Sequence, residues 1–123
     1  EKHLLKINPD LQCKTYQEEW TETDGDKYFQ DCSIIIEAFD RAEIKSRFVE
    51  YYSNKATAIV SGNGMAGLSE KAPLQIRKMG NITIAGDNQT DTACGNPPLA
   101  PRVIACAALM AEAVLDITLG IKK

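Results

Sequence analysis

The feature of the sequence that most constrains the fold is a run of β-branched and other apolar residues at positions 33–39 (SIIIEAF). A strand with one face in water alternates apolar and polar residues, whereas a strand covered on both faces has a continuous apolar run. The run shows no alternation. It therefore predicts a strand buried on both faces, which is typical of a parallel sheet.

A helix and a second strand are predicted directly after this run. Asp40 and Glu43 have the D-x-x-E spacing of a helix capping box, and apolar residues recur at helical spacing through positions 41–54. Residues 56–60 (ATAIV) then predict a second buried strand. A strand, a helix and a strand within about 30 residues predict a right-handed βαβ unit with parallel strands.

Shorter elements are predicted around this unit. Two alternating runs at 75–79 and 81–85, separated by Gly80, predict an antiparallel hairpin. A long apolar segment at 102–119 predicts a terminal helix, and because its apolar residues surround most of the helix we expect it to be largely buried. The part of the chain before the unit predicts a helix at 1–7, a weak strand at 11–16 and a short helix at 23–30.

Length, composition and charge limit the class of protein. The 123 residues suffice for one domain, and 44% hydrophobic with 25% charged residues is typical of a globular protein. The net charge of −3 gives no general attraction to nucleic acid. The longest apolar stretch, 103–115, contains Glu112 and is shorter than the ~20 residues that span a bilayer. We therefore expect neither nucleic acid nor a membrane as a partner.

The cysteines indicate a reducing compartment. No two of the four form a C-x-x-C pair, so spacing predicts neither a zinc knuckle nor a thioredoxin motif. We interpret them as reduced thiols and expect a cytoplasmic protein; they are Cys13, Cys32, Cys94 and Cys106.

A glycine-rich loop at 62–67 matches the G-x-G-x-x-G pattern of dinucleotide-binding proteins, with Asp87 twenty positions further on. That pattern requires a helix that begins in the loop and turns its amide groups to the pyrophosphate. Pro73 leaves room for about two helical turns, and Asp87 is predicted beyond a hairpin, not at the end of the next parallel strand. A loop near a ligand or partner is the favoured interpretation.

Three single residues are further candidates. Asp40 follows the carboxyl end of the first buried strand, where ligands gather in open α/β sheets, and is placed to hold Mg²⁺ on a phosphate; it is equally placed to cap the following helix. Trp20 is placed either to stack on a base or to pack in the core. Cys94 is the cysteine expected to be exposed, but the only histidine, His3, is no evident activator.

Taken in order, six segments make the chain resemble the ubiquitin-activating-enzyme-like adenylyltransferases, and among them the ThiF-type sulfur-carrier protein adenylyltransferases. The matching segments run from about Ile7 to Gly120 and have the family's order. They are 7–9 (INP), 36–45 (IEAFDRAEIK), 61–67 (SGNGMAG), 76–79 (IRKM), 85–87 (AGD) and 99–103 (LAPRV).

The resemblance implies an α/β fold, namely a partial Rossmann-like parallel sheet with a C-terminal antiparallel hairpin and a buried terminal helix. It implies ATP and Mg²⁺ as cofactors, and adenylation of the C-terminal glycine of a small ubiquitin-like sulfur carrier in thiamine (thiazole) biosynthesis. Asp40 would be the catalytic residue and the ligand of metal and nucleotide, and Trp20 a second nucleotide contact. The carrier would meet the loop residues Gly62, Asn63, Gly64 and Met65.

The resemblance also implies that residues 1–123 are the C-terminal half of one adenylyltransferase domain. The family's glycine-rich nucleotide-binding half is expected upstream of Glu1, and the chain alone is expected to be inactive. Arg41 stands where the family often has Asn. Two alternatives remain: a non-catalytic α/β binding module, and a nicotinamide- or flavin-dependent oxidoreductase that uses the glycine loop. The apolar surface of the terminal helix further predicts a second partner besides the sheet, which is either a neighbouring subunit in a homodimer or the missing N-terminal half.

Overall fold

A mixed α/β fold is formed by the residues that the computed structural model describes, 2–68 and 72–121. The predicted βαβ unit, hairpin and terminal helix are all present. In chain order the elements are α1 (Lys2–Ile7), α2 (Gly25–Phe29), β1 (Ile34–Glu37), α3 (Ala42–Tyr52), β2 (Ala58–Gly62), β3 (Gln75–Met79), β4 (Ile82–Gly86), a 3₁₀ turn (Thr92–Cys94) and α4 (Ala100–Leu119).

The chain divides into two compact units, and the first is Glu1–Gln30. It contains α1, which ends just before Asn8 as predicted, and α2. The weak strand expected at 11–16 is wrong: these residues have no regular structure, because the described part of this unit offers no second strand whose backbone could pair with them. An exposed ion pair between Lys27 and Glu18 (Nζ to Oε2, 2.8 Å) links α2 to the preceding segment.

The second unit, Asp31–Lys123, is built on a four-stranded sheet in the order β1-β2-β4-β3. β2 pairs in parallel with both β1 and β4, and β3 pairs antiparallel with β4. The predicted parallel sheet with an antiparallel hairpin is therefore confirmed. Gly80 and Asn81 form the two-residue hairpin turn, and Gly80 has a φ of 60°, which glycine adopts without strain.

Both β1 and β2 were expected to be buried strands. The expectation is wrong for β1 and confirmed for β2. All five residues of β2 are buried, whereas Ile36 in β1 is 53% exposed. β1 is the edge strand, and α4 packs chiefly on β2 and β4. Ile36 pairs with Val60, which packs beneath α4, so Ile36 lies on the same face of the sheet but beyond the width that the helix covers.

The terminal helix α4 buries one face only, so the expectation of burial on more than one face is wrong. Cys106, Met110 and Ala113 are buried against Val60 and Ala85 of the sheet. Their spacing of four and three residues defines one helical stripe. The physical reason is that, among the described residues of this unit, α4 packs on the sheet and no further layer covers its other side. Apolar side chains are therefore exposed at Ile104 (67%), Leu115 (59%) and Leu119 (69%).

Across the described residues, no helix combines the length and apolar character needed to cross a membrane. The four cysteines are free thiols.

Cysteine labelling tests this packing. Cys32 and Cys94 are exposed, whereas Cys106 is fully buried and its Sγ donates to the Ala85 carbonyl oxygen at 3.4 Å. Burial raises the pKa of the Cys106 thiol. We expect iodoacetamide to modify Cys32 and Cys94 in the native protein and Cys106 only after unfolding in urea, as followed by mass spectrometry. Native-state labelling of Cys106 at the rate of Cys94 would contradict the packing of α4.

Candidate functional site

The carboxyl ends of three neighbouring strands lie at one edge of the sheet. β1, β2 and β4 are parallel, so the segments that follow them, 38–41, 63–65 and 87–90, leave the sheet from this edge. The sheet register places Glu37 opposite Ser61, and Gly62 opposite Ala85. The edge therefore brings together Asp40 and the Gly62–Met65 loop, two of the sites predicted from the sequence.

Asp40 is exposed in the turn between β1 and α3. The prediction that it caps the helix is wrong. α3 begins at Ala42, its N-cap is Arg41, and no side chain makes a capping hydrogen bond. The chain needs one more extended residue to leave the strand and enter the helix, which places Asp40 outside the cap position. Within the described residues its carboxylate has no hydrogen-bond or ion-pair partner.

A buried carboxylate three residues earlier holds this turn in place. Glu37, the last residue of β1, is fully buried, and its Oε1 accepts from the Phe39 amide at 2.6 Å. Its Oε2 accepts from Ser61 Oγ in the neighbouring strand. The Phe39 ring packs edge-on against Phe48 of α3, with ring centroids 5.1 Å apart. The segment between β1 and Asp40 is thus anchored by its backbone and by a side chain.

Lys45 of α3 completes this cluster. Its Nζ donates to both oxygens of Glu37, at 2.8 and 2.7 Å, and to the Gly62 carbonyl oxygen at 2.7 Å. Sequence reasoning did not identify Lys45 or Ser61. The sequence did contain one signal for Lys45: it lies eight positions after Glu37, a charged residue in a strand that was predicted to be buried.

The glycine loop packs against the loop that follows β4. The Asp87 amide donates to the Gly64 carbonyl at 2.8 Å, and the Asn88 amide to the Asn63 carbonyl at 3.1 Å. A Cβ at Gly64 would overlap Oδ1 of Asp87, so the glycine is required by this close approach. Among the four predicted partner contacts, Gly62 and Gly64 are buried, Met65 is half-buried and Asn63 is exposed. A partner at this loop would therefore meet the side chains of Asn63 and Met65.

Asp87 lies at the end of a parallel strand, contrary to the expectation, because the hairpin folds β4 back beside β2. Its carboxylate is buried and accepts from Arg102 Nη2 at 2.6 Å and from the Thr90 hydroxyl at 2.8 Å. Burial acts to raise the pKa of Asp87, but hydrogen bonds from Thr90 and Gln89 and the Arg102 charge outweigh it and hold the pKa below its usual value. Asp87 is therefore occupied internally and is not placed to bind a ribose.

The remaining features of the dinucleotide pattern are not met by the described residues. The glycine loop does follow a strand, but positions 63–68 and 72–74 contain no helix whose amides could face a pyrophosphate. The glycines serve the contact between two loops instead.

Two further candidates belong to other parts of the sequence. Trp20 belongs to the first unit, where it is partly exposed. Cys94 is exposed in the 3₁₀ turn that follows β4, a turn capped by the carboxylate of Asp91.

Of the acidic residues Glu37, Asp40 and Asp87 at this edge of the sheet, one is available as a ligand of Mg²⁺. No group of three or more His, Cys, Asp or Glu residues with metal-binding geometry exists within 2–68 and 72–121. Mg²⁺ in nucleotide sites commonly takes one or two carboxylates and completes its octahedron with phosphate oxygens and water. The exposed carboxylate of Asp40, which has no partner among the described residues, fits that role, and ATP phosphates are the oxygen donors that the cation would require. Neither Glu37 nor Asp87 is available, because each is saturated by internal donors.

Comparison with known proteins gives no match, whether to a protein-family model, to a curated protein or to a solved structure.

Proposed function

We propose that this chain forms part of an enzyme that uses ATP to adenylate the C-terminal glycine of a small ubiquitin-like sulfur carrier protein, as in thiamine (thiazole) biosynthesis. The observation that carries the proposal is Asp40, an exposed carboxylate without a partner among the described residues. It lies at the carboxyl edge of a parallel sheet, on a turn anchored by buried groups. The six segments that resemble the adenylyltransferases support it, and Asp40 lies in the longest of them.

The role of Asp40 follows from the negative charge of the two reactants in adenylation, the carrier carboxylate and ATP. An oxygen of the carrier's terminal carboxylate forms a bond to the α-phosphorus of ATP, and the bond to the leaving pyrophosphate breaks. Both reactants are anionic, so the approach needs a hard cation, and Mg²⁺ supplies that charge neutralisation when bound. Asp40 would hold the cation as an oxygen ligand without moving, because its turn is fixed from the protein side.

The other residues in the proposal have supporting roles. The exposed side chain of Asn63 and the half-buried one of Met65 leave the same sheet edge and would contact the carrier. That Trp20 contacts the nucleotide stays a prediction from the sequence. A homodimer through the exposed face of α4 and a cytoplasmic location remain predictions that accompany the function.

The substitution Asp40→Asn tests the proposal in the complete enzyme. We expect carrier-dependent exchange of labelled pyrophosphate into ATP to fall about a hundredfold, because the amide keeps the size of the side chain but loses the charge that binds the cation. Circular dichroism and the urea midpoint should stay unchanged, since the side chain is exposed and has no partner within 2–68 and 72–121. Asp31→Asn is the matched control, because Asp31 is also exposed but precedes β1 at the opposite end of the strand.

The outcomes separate the alternatives. If Asp40→Asn exchanged pyrophosphate into ATP at nearly the wild-type rate, Asp40 would have no role in the reaction. A complete protein that binds the carrier or a nucleotide but shows no exchange would be the non-catalytic binding module. Reduction of a nicotinamide or flavin cofactor by the complete protein would support the oxidoreductase, although the described loop lacks the helix that such a site uses.

A further inference from the structure

A buried ionic cluster connects the two parts of the proposed site. Glu37 ends β1, Ser61 and Gly62 end β2, and Lys45 lies on α3, so three elements meet in one set of contacts. The Glu37 side chain is 0% exposed and that of Lys45 is 17% exposed. We refer to Glu37, Lys45 and Ser61 as the Glu37 cluster.

The cluster satisfies itself and has no capacity left for a ligand. Lys45 has three N–H donors, and they are used on the two oxygens of Glu37 and on the Gly62 carbonyl. Each Glu37 oxygen accepts two hydrogen bonds, Oε1 from Lys45 and the Phe39 amide, Oε2 from Lys45 and Ser61. The cluster is therefore not a binding site, and its contacts are made to the protein's own backbone and side chains.

Stability alone is a weak reason for such a cluster. Removing two charges from water costs about as much as their attraction returns, and well-packed apolar residues often replace a buried ion pair without loss of stability. The contacts of the Glu37 cluster instead fix specific backbone groups. One is the Phe39 amide, next to Asp40, and the other is the Gly62 carbonyl, where the glycine loop begins.

We propose that Glu37 and Lys45 are positioning residues for the adenylation site: their buried ion pair fixes the Asp40 turn and the start of the Gly62–Met65 loop relative to each other. This inference rests on the proposed function for its catalytic consequence. Its structural part stands on the contacts alone. In an enzyme, the cation held by Asp40 and the carrier at the loop must meet with small error, because a misplacement of about 1 Å costs about a hundredfold in rate.

The main test replaces the cluster by apolar residues in the triple variant Glu37→Met/Lys45→Met/Ser61→Ala. We expect this variant to fold with a urea midpoint close to that of the wild type, as buried ion pairs tolerate apolar replacement. Hydrogen exchange of the Phe39 amide should accelerate at least about tenfold, because its acceptor is gone. Pyrophosphate exchange should fall about ten- to a hundredfold, as is typical when the support of a metal ligand is removed.

Two control variants separate positioning from general damage. Ser46→Ala removes an exposed hydrogen bond of α3, from the Ser46 hydroxyl to the Ala42 carbonyl, and leaves every contact of the Glu37 cluster in place. It should retain Phe39 protection and activity within about threefold of wild type. Lys78→Met removes an exposed lysine of β3 and should change neither. If the triple variant does not fold, Glu37→Gln is measured by pyrophosphate exchange and by the amide shifts of the loop. Its amide oxygen can still accept from the Phe39 amide, but the charge that pairs with Lys45 is lost.

A direct structural readout uses Mn²⁺ together with ATP as a paramagnetic probe in nuclear magnetic resonance of the complete protein, because the cation at Asp40 needs phosphate oxygens as further ligands. In the wild type we expect broadening of the amides around Asp40 and, more weakly, of those at Gly62–Met65. In the folded triple variant, the ratio of the broadening at the Gly62–Met65 amides to the broadening at the amides around Asp40 should differ from the wild-type ratio. Unchanged broadening together with unchanged Phe39 protection would overturn the positioning role.

The same measurements distinguish the two proposals. Absence of Mn²⁺ broadening near Asp40 in the wild type, with no pyrophosphate exchange in the complete protein, would contradict the proposed function. The positioning of the two backbone segments would then be judged from Phe39 protection and from the amide shifts of the loop. If the triple variant kept both the Phe39 protection and the loop amide shifts of the wild type, the positioning role would be contradicted, whatever the result for the proposed function.

Discussion

We expect the substitution Gly86→Ala to destabilise the second unit by about 4 kcal/mol, one of the largest effects of a single methyl group in this chain. Gly86 ends β4 with a φ of 139°, a conformation that residues with a side chain rarely adopt. A Cβ there would overlap the backbone carbonyl of Asn63 in the glycine loop. Backbone on both sides cannot yield as a flexible side chain could, so the contact between the two loops must open.

The measurement for Gly86→Ala is urea unfolding, and Gly80→Ala is the matched control. Gly80 also has a positive φ, 60°, but a Cβ there would meet nothing within 4 Å. Its substitution should cost about 1 kcal/mol, the backbone term alone. Equal midpoints for the two variants would show that the loop contact contributes little.

The second large effect is expected for Asp87→Ala, at about 3 to 5 kcal/mol of unfolding free energy. The substitution leaves the Arg102 guanidinium, whose side chain is 11% exposed, without its carboxylate. It also removes the acceptor for the Thr90 and Gln89 amides. Asp91→Ala is the control, because Asp91 accepts from the Ala93 amide in an exposed turn, and the loss of such a cap costs about 1 kcal/mol.

The wild type and Asp87→Ala differ in unfolding free energy, and the pH dependence of that difference shows whether the Asp87 carboxylate is its source. The pKa of Asp87 is lower in the folded protein than its ordinary value of about 3.9. The folded state therefore binds the proton less well than the unfolded chain, and the stabilisation is fully present above pH ~4. As the pH falls through the folded pKa, the stabilisation is lost. We expect the gap between wild type and Asp87→Ala to narrow below pH ~4; a gap independent of pH down to 2.5 would contradict this assignment.

The sequence by itself determined the elements whose signals are local. The apolar run at 33–39 and the helical spacing after it predicted β1 and α3, although β1 is shorter and ends at Glu37. The alternating runs around Gly80 predicted the hairpin with its turn, because the period of two and the glycine lie within eleven residues. Asp40 was placed after the first strand for the same reason: its position depends on where one element ends and the next begins.

Only the tertiary structure decided how many faces each element buries. An apolar run has the same pattern in a central strand and in an edge strand, so the sequence could not show that Ile36 lies beyond the cover of α4. The apolar circumference of α4 likewise predicted more than one buried face. The helix has one sheet to pack against in this unit, and its other apolar residues remain exposed.

The buried polar groups were also decided by the tertiary structure. Ser61 meets Glu37 across 24 residues of chain, and Arg102 meets Asp87 across 15, so no local period relates the partners. Asp87 reaches the end of a parallel strand only because the hairpin returns β4 to the side of β2. Local patterns predict which elements form because periodicity and turn residues are properties of consecutive residues, whereas buried charges find partners only after separate elements pack and exclude water.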